Sequence, residues 1–365
     1  MKVIAQTDGL TEALSLVGSI VATRTPKPVL QCVKLIAADG MLTLLATDLE
    51  AGCRYHLPQV EIKEEGQALI PADRLAAIVR ESQEDTLTLE VNKETCTITG
   101  TGSRFTIYGF DAGEFPPVVD FGEEADAEVS AEVMNDLISK TLFATAKEHS
   151  RYAISGVLWE ITGKKLQLVA TDGYRLALAK GALINQAKRE VSAIVPAKLM
   201  SLIQRIAGNT EQTLAVRITD SQILIRSANA VLVSNLVQGN FPKYGDVIPR
   251  DCQRKATIDT GVFLHRIRQA ALLTNEESKG VRLSFSPGSL TMTSRAPETG
   301  EAEVKAAIEY EGDPLEIGFN PAYLTDALKV VRTDKIVLEM NAANKPGLIK
   351  AGTDFLYMLM PLDLK

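Results

Sequence analysis

The chain has 365 residues with 39 basic and 46 acidic side chains, a net charge of −7, and 45% hydrophobic residues. No apolar run reaches the roughly 18 residues of a membrane span, and the N-terminal MKVIAQTDGL lacks the apolar core and small-residue cleavage site of a secretory leader, so a cytoplasmic protein is expected. The acidic balance argues against tight, open-surface binding of nucleic acid, because phosphate neutralisation dominates that affinity.

In chain order, the first predicted element is a helix over 8–24, where Leu10, Ala13, Leu14, Val17 and Val21 fall at helical spacing. Alternating runs then flank Asp39-Gly40, with Leu42, Leu44 and Ala46 beyond it, the pattern of a β-hairpin. Pro71-Ala72 opens a helix over 71–81; proline suits a first helical turn, where its missing N–H has no partner anyway. The same succession returns: a helix over 131–151 carrying Met134, Leu137, Ile138 and Leu142, a hairpin about Gly163-Lys164 with Leu166, Leu168 and Ala170 beyond it, and a helix over 196–206 opened by Pro196-Ala197. It returns once more as a helix over 259–279 with Phe263, Ile267, Ala270 and Ala271, a hairpin about Pro287-Gly288 leading to Leu290 and Met292, and a helix over 320–332 opened by Pro321-Ala322.

The three helix-opening prolines are spaced by 125 residues each time, and the turn glycines by 123 and 125. That period is too long for a solenoid repeat and large enough for a domain with its own core. Three similar α+β domains in tandem follow, each reading strand, helix, two or three strands, helix, strands. The boundaries are placed at 1–122, 123–249 and 250–365, after Phe115-Pro116 and Phe241-Pro242 leave the last strands of the first two units.

Catalytic motifs are hard to find. The stretch Ile161-Thr162-Gly163-Lys164 hints at a phosphate loop, but that pattern needs glycine at 158 and Ser or Thr at 165, where Leu158 and Lys165 stand. Gly100-Thr101-Gly102 lacks the third glycine of a dinucleotide fingerprint, and neither GxSxG nor HExxH occurs. Cys32, Cys53, Cys96 and Cys252 are scattered, as are His56, His149 and His265, so no metal or cofactor is expected and the thiols read as buried or incidental. Glu64-Glu65 and Glu123-Glu124 read as solvated surface. Two readings stand at this point: an enzyme with an unrecognised site, and an open protein-binding repeat scaffold.

Five segments then carry a resemblance. Val169-Ala170-Thr171-Asp172-Gly173-Tyr174-Arg175-Leu176, Gly239-Asn240-Phe241-Pro242-Lys243-Tyr244, Gly280-Val281-Arg282-Leu283, Ile317-Gly318-Phe319-Asn320 and Tyr357-Met358-Leu359-Met360-Pro361-Leu362 follow in the order found in the bacterial DNA polymerase III β sliding clamp. The chain resembles that family along nearly its whole length. The resemblance implies an α+β fold of three tandem clamp domains, helices on one face of antiparallel sheets. It also implies a head-to-tail homodimer closing a six-domain ring, which encircles double-stranded DNA without sequence specificity and confers processivity on the replicative polymerase without being an enzyme. A ring held by topology tolerates weak contact with DNA, which accommodates the acidic composition, and a tethered polymerase stays at high effective concentration. The six predicted helical stretches sum to +2, leaving −9 elsewhere.

By position, the resemblance implies DNA contacts at Arg24 and Lys198, with Arg74, Lys140, Lys147, Arg205, Arg266 and Arg268 as further candidates; Asp73 stands where a basic residue is frequent. It implies an apolar pocket for short linear peptides of the polymerase, the clamp loader and repair proteins. That pocket is assigned to Arg151, Ile154, Thr171, Gly173, Tyr174, Arg175, Leu176, Pro242, Val247, Asn320, Tyr323, Met358, Leu359, Met360, Pro361 and Leu362, a Met- and Leu-rich lining able to re-pack for several partners. Asp246 replaces a basic residue and Tyr174 a histidine common in the family, so peptide preference is expected to differ. Phe105, Leu272 and Leu273 match positions in the dimer interface, where an edge strand of the first domain should meet one of the third.

Overall fold

The computed structural model describes residues 1–365 apart from 123, 148–152, 209–210, 275–279, 298–299 and 364–365. The threefold pattern is present in the element order. In the first repeat, strand β1 (Lys2–Gln6) leads into helix α1 (Thr7–Gly18). Strands β2 (Cys32–Ala38), β3 (Met41–Thr47), β4 (Ala51–Leu57), β5 (Val60–Glu64) and β6 (Gly66–Pro71) follow, then helix α2 (Ala72–Glu81) and the meander β7 (Thr86–Asn92), β8 (Thr95–Thr99), β9 (Arg104–Tyr108). The second repeat runs β10 (Ala127–Ser130), α3 (Ala131–Thr141), β11 (Gly156–Thr162), β12 (Lys165–Thr171), β13 (Arg175–Ala182), β14 (Val191–Pro196), α4 (Ala197–Ile206), β15 (Thr213–Ile218), β16 (Gln222–Arg226), β17 (Ala230–Asn235). The third runs β18 (Arg254–Asp259), α5 (Thr260–Ala270), β19 (Val281–Ser286), β20 (Ser289–Ala296), β21 (Gly300–Ala307), β22 (Glu309–Glu311), β23 (Leu315–Phe319), α6 (Pro321–Val330), β24 (Lys335–Met340), β25 (Gly347–Ala351), β26 (Phe355–Leu359).

Local chemistry sets these elements. Asp39 and Gly40 both adopt positive φ, 51° and 74°, the conformation that a two-residue hairpin between Ala38 and Met41 requires. Helix α5 is capped by the Asp259 carboxylate accepting from Val262 N, and α6 by the Asn320 side chain accepting from Ala322 N with Pro321 in its first turn. Helix α1 buries Leu10, Ala13, Leu14 and Val17 and packs on α2 and strands β3 and β4. Helix α5 likewise buries Phe263, Ile267 and Ala270 against α6, β20 and β21. Each leucine or phenylalanine so buried contributes about 1.5–3 kcal/mol relative to exposure.

The helices that open each repeat are shorter than their periodicity predicts. Helix α1 stops at Gly18, a poor helix former, and Ser19 and Ile20 donate back to Leu16 and Val17 in a tightened last turn. The apolar position Val21 therefore lies beyond the helix. Helix α3 ends at Thr141, whose hydroxyl donates to Leu137 O (2.8 Å), and passes into a 3-10 turn at Leu142–Ala144. Helix α5 does the same through Ala271–Leu273. Consequently Arg24 and Lys147 sit in loops, and helices α1 to α6 carry charges of −2, 0, −1, +2, +2 and 0, a net +1 where +2 is predicted for the longer stretches.

Strand pairing, antiparallel throughout the named ladders, divides the chain into two compact units. One unit holds a five-stranded sheet, β5-β1-β7-β8-β9, and an eight-stranded sheet, β10-β15-β16-β17-β4-β3-β2-β6. The other holds a nine-stranded sheet, β14-β11-β12-β13-β26-β25-β24-β18-β22, and a four-stranded sheet, β21-β20-β19-β23. The two large sheets are each built from adjacent repeats. The last strand of the second repeat pairs with the first through β17 and β4, with Leu232 opposite Cys53 and Val233 opposite Gly52. The last strand of the third repeat pairs with the second through β26 and β13 in the equivalent register, Tyr357 opposite Ala177 and Met358 opposite Leu176. One half-sheet at each end of the series has no such neighbour: β9 and β21 are edges.

Candidate functional site

Strands β12 and β13 are joined by Asp172-Gly173-Tyr174. The Asp172 carboxylate accepts from Tyr174 N and Arg175 N, both at 3.0 Å, and Gly173 takes φ +90°. Asp48 builds the same turn in the first repeat, accepting from Glu50 N (3.0 Å) and Ala51 N (2.7 Å), but there Leu49 occupies the left-handed position at φ +78°. The Tyr174 ring is left 64% exposed.

Arg175 lies under this turn, only 8% exposed. Its Nε donates to Asp172 (2.9 Å), one Nη to Asp326 (2.8 Å) and the other to Phe143 O (2.7 Å), while the guanidinium lies 4.3 Å over the Tyr323 ring. Burial would lower its pKa, but the Asp326 and Asp172 carboxylates outweigh that and hold it fully charged. Tyr357, its own pKa pushed up by burial, donates to Tyr323 O (3.0 Å). Arg175 is thus held by three hydrogen bonds and acts as the support on which Tyr323 rests.

Two further segments reach the same strand ends. Met360 N donates to Tyr174 O and Leu362 N to Gly318 O, both at 2.8 Å, so this segment is tied to the Tyr174 turn and to strand β23, and Met360 remains 40% exposed. The segment Phe241–Ile248 packs over Leu176, Leu178 and Met358. It is fastened by Tyr244, whose hydroxyl donates to Glu160 (2.5 Å) and receives the Gln167 amide (2.8 Å). Burial and the Glu160 carboxylate both raise the Tyr244 pKa. Pro242 is half-buried and Val247 is 52% exposed. A cavity of about 640 Å³ opens at Met360, lined by Ile317, Gly318, Asn344 and Met360 to Asp363.

Among the peptide-pocket residues expected from sequence, Gly173, Tyr174, Val247 and Met360 are exposed, while Pro242, Asn320, Tyr323, Pro361 and Leu362 are half-buried. Ile154, Thr171, Leu176, Met358 and Leu359 are buried in the underlying core, Leu359 completely. Arg151 lies outside the described residues. Asp172, Asp326, Phe143, Glu160 and Gln167, which support the groove, escape the sequence reading; the only local signal is an arginine placed at the head of the apolar strand β13, which requires buried carboxylates nearby.

The basic candidates divide by environment. Lys198 is tied to Asp48 (2.5 Å); burial would raise the Asp48 pKa, but Lys198 and the Ala51 and Glu50 N–H groups outweigh it and lower the value. Lys140 is half-buried against Asp136 (2.5 Å), and Arg74 lies 3.7 Å from Asp73. Arg205 donates to Ser15 O (3.3 Å) and Arg266 to Gln269 (3.0 Å). Arg24, Lys147 and Arg268 are exposed. On the edges, Phe105 of β9 is 41% exposed and Leu272 is 78% exposed, with Leu273 half-buried. Cys32, Cys53 and Cys96 are buried thiols pushed up by that burial to about 11, 12 and 11, and no group of three or more potential metal ligands occurs among the described residues.

Comparison with known proteins follows this architecture. Models of the DNA polymerase III beta subunit match in sequence: the N-terminal domain at residues 1–120, the central domain at 128–243 and the C-terminal domain at 245–363. The beta sliding clamp of Chlamydia muridarum is 31% identical, covering 100% of this chain and 99% of its own length, and that of Pseudomonas putida 32% identical, covering 98% and 99%. The crystal structure of the Bacillus subtilis sliding clamp superposes with a TM-score of 0.96 at 28% identity, and a Pseudomonas aeruginosa sliding clamp bound to griselimycin with 0.94 at 30%, both over the full length of each chain. The threefold α+β repeat, its matching domains and its full-length relatives place this chain in the family of the DNA polymerase III β subunit, the beta sliding clamps.

Proposed function

We propose that the chain is a DNA sliding clamp that confers processivity on DNA polymerase III, and that two copies join head to tail into a ring of six domains, 1–122, 123–249 and 250–365 from each. The observation that carries the ring is the pair of unpartnered edges. Within the chain, the last strand of one repeat always pairs with the third hairpin strand of the repeat before it. The two strands left over, β9 and β21, are of these two kinds, and a second copy supplies each with its complement.

The repeat also proposes the register. Phe105 is the counterpart of Leu232 and Tyr357, and Ala302 of Cys53 and Ala177, through their ladder partners in each repeat. Placing β9 against a second copy's β21 in the shared register sets Phe105 opposite Ala302, a large side chain over a small one as in the two internal pairs. It sets Arg104 opposite Glu303, a favourable cross-strand charge pair. Leu272, the counterpart of Phe143, then falls against Phe105 as Phe143 falls against Tyr357 (ring centroids 5.7 Å).

Within the ring, Arg24, Lys147 and Arg268, exposed candidates that form no ion pair among the described residues, serve as the first contacts to DNA, with Arg74, Lys140, Lys198, Arg205 and Arg266 as weaker ones. Weak contact suits a protein that slides, since the enclosure itself prevents escape. The groove about Tyr174, Val247, Tyr323 and Met360 receives short linear peptides of the polymerase, the clamp loader and repair proteins. None of these roles needs catalysis, and the work is that of a scaffold in the cytoplasm. No helix among the described residues is long and apolar enough to cross a membrane.

Primer extension tests this function. On a singly primed circular template with clamp loader and polymerase III, the chain is expected to lengthen single-encounter products about tenfold or more, because tethering replaces rebinding from solution. Product lengths unchanged by the chain would overturn the function.

A further inference from the structure

The groove carries a charge character of its own. Asp172 caps the Tyr174 turn, Asp326 holds Arg175 beneath it, Asp246 precedes the exposed Val247, and Asp363 lines one cavity with the exposed Met360. Asp172 and Asp326 are engaged by Arg175, which is itself buried. In the adjoining cavity Arg282 lies 3.2 Å from Glu316, and that pair is neutral as a unit. Asp246, next to Val247, and Asp363, at the cavity's end, are both exposed and form no ion pair among the described residues. Two exposed cations stand among them, Lys243 in the same turn as Asp246 and Lys345 beside the cavity residue Asn344.

We propose that this groove selects peptides whose leucine or phenylalanine anchors are flanked by lysine or arginine, with Asp246 and Asp363 as the residues that read the flanking charge. The inference rests on the peptide-binding reading of the groove and adds the chemistry of the partner. The apolar anchors supply affinity by burying Tyr174, Val247 and Met360, and the rim charges add discrimination, as charges at the edge of an interface generally do. An acidic flank would meet two unneutralised carboxylates. A basic flank forms two exposed ion pairs, each individually modest and sensitive to salt.

The test uses the intact dimer and two labelled decapeptides with the same leucine and phenylalanine anchors, one flanked by lysines and one by glutamates, read by fluorescence anisotropy. The lysine peptide is expected to bind about fivefold tighter at low ionic strength, with the advantage shrinking at 0.5 M salt. The Asp246→Lys, Asp363→Lys variant should reverse the order. A Glu61→Lys, Glu65→Lys variant, with the same charge change on exposed residues of the first repeat, should leave it unchanged and so separates the groove from the general attraction of an acidic protein. Equal binding of both peptides to the unaltered dimer, or a preference that the Glu61 and Glu65 changes also abolish, overturns the charge selection and leaves the groove standing. Binding of neither peptide overturns the groove reading together with it.

Discussion

The Leu272→Ala, Leu273→Ala variant is expected to sediment as a monomer, and the unaltered chain as the proposed dimer. Leu272 is 78% exposed in the single chain, an unfavourable place for a leucine unless something covers it. Its counterpart one repeat earlier, Phe143, rests on Tyr357, which is fully buried. The counterpart of Tyr357 in the first repeat is Phe105, again with a large apolar surface left in water on an edge strand. Truncating two leucines at each of two interfaces, at about 2 kcal/mol per leucine, removes roughly 8 kcal/mol from the ring, some six orders of magnitude in dissociation constant. Because Leu272 contributes little to the core of its own chain, the midpoint of thermal unfolding of the variant monomer should fall only by the cost of truncating the half-buried Leu273. A variant that remains dimeric at nanomolar concentration would show that the leucines lie outside the interface.

Removal of residues 360–365 is expected to abolish binding of a polymerase-derived peptide, a loss of about a hundredfold or more, while the dimer persists in sedimentation. The segment contributes the exposed Met360 side chain and one wall of the 640 Å³ cavity. Its backbone is held by Met360 N on Tyr174 O and Leu362 N on Gly318 O, so its absence also removes one of the bonds that position the Tyr174 turn. Losing one apolar wall and the positioning of a second aromatic one removes most of what a short peptide would bury. Unchanged affinity after truncation would place the peptide elsewhere, whereas loss of both peptide binding and the dimer would mean that the chain end supports the fold instead.

Much of the architecture is legible in the sequence because its signals are local. Pro71, Pro196 and Pro321 open helices α2, α4 and α6 at or next to the residues expected, and Asp39-Gly40, Gly163-Lys164 and Pro287-Gly288 form two-residue hairpin turns. The helix ends are misjudged because apolar spacing continues past the backbone. Val21 and Leu142 keep the 3.6-residue rhythm, yet Gly18 and the Thr141 hydroxyl bond to Leu137 O end the helices first. Pairing between repeats, β17 on β4 and β26 on β13, is invisible to local pattern, since nothing in a strand's alternation names its partner. The candidate groove is legible only in part. Tyr174 and Met360 are found through resemblance, but the carboxylates beneath Arg175 and the Tyr244–Glu160–Gln167 latch join residues up to 151 positions apart. Charged candidates suffer the same limit: Lys198 reads as a free cation until Asp48, 150 residues away, is found beside it.

Enclosure of DNA is the claim on which the rest depends, and topology tests it most directly. The chain is loaded by its clamp loader onto nicked circular DNA, half the sample is linearised, and the protein retained on each form is measured by gel filtration at moderate salt. Retention on the circle with rapid loss from the linear form is the expected result, since a ring slides off a free end but cannot leave a closed contour. Equal retention on both forms would mean binding by surface contact and would contradict the ring.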